Sequence, residues 1–100
     1  MIHTKQELLL ILNNNAEIIR GYGINKLGVF GSFRHDKATD KSDVDFLVNF
    51  IPEKKTYDNF FHLHEFLEEK TGRKIELVTI QSLSKYIGPH ILKDVEYVIN

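Results

Sequence analysis

The chain has 100 residues, with 13 Lys and Arg against 14 Asp and Glu, 42% hydrophobic residues and no cysteine. Such a length and apolar content predict one globular domain over residues 1–100, not a disordered tail or a multidomain chain. A formal net charge of −1 argues against the broad basic face that wraps nucleic acid. The lack of thiols rules out disulfides and thiolate zinc and leaves any metal to carboxylate or imidazole.

Thr4 followed by Glu7 reads as a capping box, and Leu8, Ile11, Leu12, Ile18 and Ile19 recur at near-helical spacing, so a first helix is expected over Lys5–Ile19. The N-terminal residues show neither the basic stretch nor the apolar region of a signal peptide, and no apolar run approaches the ~20 residues of a bilayer span. A cytoplasmic protein with no membrane contact is expected. Lys26–Phe30 reads as a strand stopped by Gly31-Ser32, with a polar loop or short helix up to Ser42. From Asp43 to Phe50 the chain alternates: Val44, Phe46, Val48 and Phe50 share one face, and Asp43, Asp45, Leu47 and Asn49 the other. Helical spacing returns with Tyr57, Phe60, Leu63, His64 and Leu67, stops at Thr71-Gly72, and gives way to a strand over Lys74–Thr79. Strand, helix, strand predicts a parallel pair with the helix lying on the sheet. A short helix over Ser82–Ile87 and a last helix from Pro89, burying Ile91, Leu92, Val95 and Ile99, complete an α/β (α+β) chain.

The chemistry-bearing residues cluster in this pattern. A glycine directly after a strand lets backbone approach a ligand, and Ser32 adds a hydroxyl donor suited to phosphate. Ten residues separate Ser32 from Asp43. Asp43 and Asp45, two apart on a strand, project from one face and form an all-oxygen donor pair, which suits Mg²⁺ or Mn²⁺ better than zinc. Glu76, on the neighbouring strand, is the third carboxylate candidate. His62 and His64, two apart on a helix, diverge and make a poor metal pair. Lys54-Lys55 and Arg73-Lys74 read as solvated charges, and Phe60, Phe61 and Phe66 as core residues, some of them free to face a partner.

Gly31-Ser32-Phe33, the spacer, and Ser42-Asp43-Val44-Asp45-Phe46-Leu47-Val48 together resemble the signature of minimal nucleotidyltransferases of the DNA polymerase β superfamily, the MNT antitoxins. Tyr57-Asp58-Asn59-Phe60, Gly72–Thr79 and Ile91–Val95 are similar to family counterparts, so the likeness covers nearly the whole chain. It implies a small mixed sheet flanked by helices and transfer of AMP from ATP to a protein hydroxyl, with release of pyrophosphate. In that scheme Asp43, Asp45 and Glu76 are catalytic and hold two Mg²⁺ ions, with Mn²⁺ as the alternative, and Gly31, Ser32 and Arg34 bind the nucleotide. The implied partner is a HEPN-domain RNase toxin, neutralised by AMP on a tyrosine. Two positions depart from the family: Arg34-His35 replaces a small residue followed by Arg, and Glu76 stands where Asp is typical. The extra methylene of Glu76 leaves a second reading open, an antitoxin that acts by complex formation alone.

Overall fold

The computed structural model describes residues 1–100, and no helix in it is long and apolar enough to cross a membrane. Helix α1 (Lys5–Asn14) begins at the capping box: Thr4 Oγ1 accepts the Glu7 N–H at 3.2 Å, and Glu7 Oε1 accepts the Thr4 N–H at 3.1 Å. The helix expected to reach Ile19 breaks instead at Asn15, whose Nδ2 donates to the Ile11 carbonyl at 2.8 Å, and α2 (Ala16–Arg20) starts after it. An asparagine side chain competes with the backbone for such carbonyls, which is why a continuous apolar period does not guarantee a continuous helix.

Strand β1 (Ile24–Phe30) runs straight into the single turn α3 (Gly31–Arg34), and β2 (Val44–Phe50) follows the polar loop. Helix α4 (Tyr57–Thr71) is capped by Thr56, whose hydroxyl accepts the Asn59 N–H at 3.1 Å. It ends at Gly72, held at φ +68°, where a side chain would be both strained and crowded against Met1. After β3 (Ile75–Thr79) come a 3-10 turn (Ile80–Ser82), helix α5 (Gly88–Asp94) and β4 (Glu96–Ile99).

The four strands lie in the order β3-β2-β1-β4. As expected, β2 and β3 are parallel, and β1 is antiparallel to both β2 and β4. On one face Val44, Phe46, Val48 and Phe50 meet Leu8 and Leu12 of α1 and Leu63 and Leu67 of α4 in a shared hydrophobic core. Burying that apolar surface supplies most of the driving force for the fold. Leu47, on the opposite face, is fully buried but stands outside that core cluster. The opposite face is therefore covered too, in part by the segment that follows β3.

Three further expectations are corrected. Ser82–Ile87 is no helix: the 3-10 turn ends at Ser82, and Leu83 and Ser84 are irregular before a turn at 85–87. The last helix stops at Asp94, so Val95 and Ile99 are not on it, Ile99 is buried from a strand, and Leu92 is half exposed. Strand pairing with β1 overrides the helical spacing there. Arg73 is not a solvated charge: only 5% exposed, it donates to the carbonyls of Ile2, Thr39 and Ser42 and lies over the Phe33 ring. A guanidinium can be buried this way because its fork of donors satisfies three carbonyls from distant segments at once. His62 and His64 do diverge, with His64 Nε2 at 3.1 Å from the Ile75 carbonyl.

Candidate active site

The sheet register builds the site. Asp45 of β2 pairs with Phe30 of β1 on one side and with Glu76 of β3 on the other, which sets Gly31, Asp45 and Glu76 in a row across three strands. Gly31 has φ +75°, and a Cβ built there would collide with Asp45 Oδ2. Only glycine allows the turn into α3 to lie so close to this carboxylate. The Ser32 hydroxyl, half-buried one residue on, forms no hydrogen bond with any other group of the chain.

Burial, the adjacent Glu76 carboxylate and, more weakly, Asp43 push the Asp45 carboxyl up to about 6. No Lys or Arg side chain forms an ion pair with Asp43, Asp45 or Glu76. Two carboxylates placed side by side without a counter-charge repel each other, so they favour either a shared proton or a cation. Asp43 is exposed just before β2, and no three carboxylate or imidazole groups form a closed metal cage. The set fits Mg²⁺ or Mn²⁺ all the same, because such ions are commonly held by one or two carboxylates with phosphate oxygens completing the shell. A donor set of oxygens alone, with surplus negative charge, is what a hard divalent cation requires.

Beside this pair lies a second acidic group that sequence reading missed. Asp94, at the end of α5, accepts the Gly31 N–H at 3.0 Å through Oδ2 and pairs with His35 through Oδ1. These contacts, with Arg34 nearby, hold the Asp94 carboxyl below its ordinary range. Arg34 Nε donates to the Asp94 carbonyl at 3.1 Å, and its guanidinium stands 3.5 Å from Glu96, which also pairs with Lys5 at 2.9 Å. The arginine expected at the nucleotide is thus tied to β4. No local pattern announces these contacts, since Asp94 lies 63 residues from Gly31.

The structure therefore brings together Gly31, Ser32, Asp45 and Glu76, keeps Asp43 at their edge, and engages Arg34 with the C-terminal acids. Residues 7–100 match the family described as Polymerase beta, Nucleotidyltransferase. The protein adenylyltransferase MntA of Thermococcus cleftensis is 36% identical over 95% of this chain and 96% of its own length. A solved structure of a candidate minimal nucleotidyltransferase superposes with a TM-score of 0.82 at 24% identity, covering 93% of this chain and 94% of the other. The MNT antitoxin solved in complex with the tri-AMPylated Shewanella oneidensis HEPN toxin superposes with a TM-score of 0.64 at 16% identity, over 95% of this chain and 71% of that one.

Proposed function

This chain belongs to the polymerase beta nucleotidyltransferase family, and from that premise we propose that it is an antitoxin that transfers AMP from ATP to a tyrosine hydroxyl of a HEPN-domain toxin in the cytoplasm. The relative named as a protein adenylyltransferase and the likeness to an MNT antitoxin bound to a HEPN toxin support the reaction class and the partner class. The observation that carries the reading is the Asp45–Glu76 pair, without a cationic partner in the chain, facing the open Gly31-Ser32 turn.

In the proposed reaction the tyrosine oxygen attacks the α-phosphorus. A new oxygen–phosphorus bond forms, the bond to the bridging oxygen of the β-phosphate breaks, and pyrophosphate departs with that electron pair. Glu76 takes the hydroxyl proton and returns it to solvent. The free Ser32 hydroxyl seats the departing phosphates, joined by the Gly31 N–H and the Arg34 guanidinium once they exchange Asp94 and Glu96 for phosphate oxygens. Asp43, Asp45 and Glu76 would hold Mg²⁺ or Mn²⁺, two ions in the full site, which supply charge stabilisation for the attacking and leaving oxygens.

One observation favours the second reading, an antitoxin that works by complex formation alone. The Gly31 N–H is already taken by Asp94, and Arg34 is turned to Glu96, so neither is free for phosphate. Intact mass spectrometry of a HEPN-domain toxin incubated with this protein, ATP and Mg²⁺ decides between the two. Adenylyl transfer gives a shift by whole AMP units that the Asp43→Ala/Asp45→Ala double variant loses while still binding the toxin. A complex without any mass shift establishes the second reading.

A further inference from the structure

A cavity of about 230 Å³ opens beside Glu76. Its walls are Val78 of β3 and Leu83, Ile87 and Ile91 of the segment that crosses the sheet after it, and none of its lining comes from β1, β2 or α3. It therefore lies on the Glu76 side of the row, away from Gly31 and Ser32. In an in-line displacement the attacking and leaving oxygens stand on opposite sides of phosphorus. With the pyrophosphate seated at Gly31-Ser32, as proposed above, the acceptor must approach from the Glu76 side.

We infer that this cavity seats the aromatic ring of the acceptor tyrosine, with the ring along Val78, Leu83, Ile87 and Ile91 and the hydroxyl at Glu76. This inference rests on the adenylyl-transfer reading for the direction of approach. The size and chemistry of the cavity select the occupant. It is smaller than the roughly 300–1,000 Å³ of pockets that enclose whole cofactors, and a serine or threonine side chain would leave its apolar wall unfilled. A purine has several ring nitrogens and an exocyclic amine to satisfy, and the lining offers few partners: Ser82 Oγ spends its proton on the Thr79 carbonyl, and Ser84 Oγ accepts the Ile87 N–H, which leaves its single O–H as the one free hydroxyl donor. A phenol, apolar along its body and polar at its tip, matches such a lining. The segment that walls the cavity points to a protein as the bearer of that phenol. Ile87 at the cavity and Tyr86 and Leu92 on the same segment are 61%, 77% and 50% exposed, apolar surface that a small free acceptor would not cover.

The test is a methyl- and amide-resolved NMR titration of the full chain with N-acetyl-L-tyrosinamide, run beside N-acetyl-L-serinamide and adenosine. Signals of Val78, Leu83, Ile87 and Ile91 are expected to shift and saturate with tyrosinamide alone. Ile87→Asp, at an exposed rim position, weakens that binding about tenfold while the rest of the spectrum stays native. Shifts at these residues with adenosine and not with tyrosinamide, or no shift with either, overturn the inference. AMP transfer to tyrosinamide from ATP and Mg²⁺ is followed in parallel by mass spectrometry. If the cavity binds tyrosinamide and a toxin partner is also left unmodified, the adenylyl-transfer reading fails, and the cavity stands as a tyrosine-binding site without an acceptor role. If AMP is transferred but the cavity signals stay still, the seat fails and the reading stands.

Discussion

Two acidic pairs lie within this small sheet, and the chain treats them in opposite ways. Asp94 and Glu96 are surrounded by donors, namely the Gly31 N–H, His35, Arg34 and Lys5, and both carboxyls are held below their ordinary range. Asp45 and Glu76 have no cationic partner, and the Asp45 carboxyl rises to about 6. The first pair is completed inside the chain and acts as a structural tie between α3 and β4. The second is left electrostatically unfinished, and it is there that the proposed reaction would bring a cation and a polyphosphate to complete the charge balance. Surplus negative charge alone does not identify a site. What separates the two is whether the protein has already neutralised it.

The two pairs meet at Gly31, and a change there has the largest effect. Gly31→Ala forces a Cβ onto Asp45 Oδ2 from a positive-φ position and disturbs the turn whose N–H binds Asp94. A loss of about 2–3 kcal/mol in urea denaturation is expected, together with loss of AMP transfer. A smaller effect follows from removing the tie alone. Asp94→Asn leaves a weaker acceptor for Gly31 and His35 and should cost about 1 kcal/mol, reduced by its solvent exposure. Because the Asp94 carboxyl is depressed in the folded state, its contribution is present above its unfolded value and is lost as pH falls through the folded one. The variant should therefore show a flatter loss of stability in acid than the wild type.

Asp45 sharpens the contrast with the opposite sign and the smallest effect. Its carboxyl is raised on folding, so the folded protein holds that proton more tightly than the unfolded chain does. Its charged form weakens the metal-free fold above about pH 6, and this penalty fades as pH falls toward the ordinary carboxylate range. Thermal melts of metal-free protein should accordingly gain a few degrees when Asp45→Asn is made at pH 7 and little or nothing at pH 4. Mg²⁺ at pH 7 should raise the wild-type Tm and leave Asp45→Asn nearly unmoved.

The same contrast explains what could be read from the sequence. Alternation from Val44 to Phe50 places the core on one face and Asp45 on the other, because a strand's period of two is a local property. The Gly31-Ser32 turn and Asp45 come together through pairing of neighbouring strands, and Glu76 joins them through the parallel register that a strand-helix-strand pattern implies. The tie to Asp94 and the burial of Arg73 had no such local signal. Both depend on carbonyls and amides supplied by segments far away in the chain. The last strand was hidden for a related reason: Ile91, Val95 and Ile99 are four apart, as on a helix, and only the open edge of β1 selects extended backbone.

The hydrogen bond from Gly31 to Asp94 also bears on motion. The N–H at the head of the turn proposed to seat phosphate is fastened to the end of α5, just before β4. Its amide proton is held by a side chain, so rotation of the Asp94 carboxylate frees it without any change in the strands. A phosphate oxygen arriving at Gly31 would therefore compete with the Asp94 carboxylate for one proton, and the displaced carboxylate would keep its partner in His35.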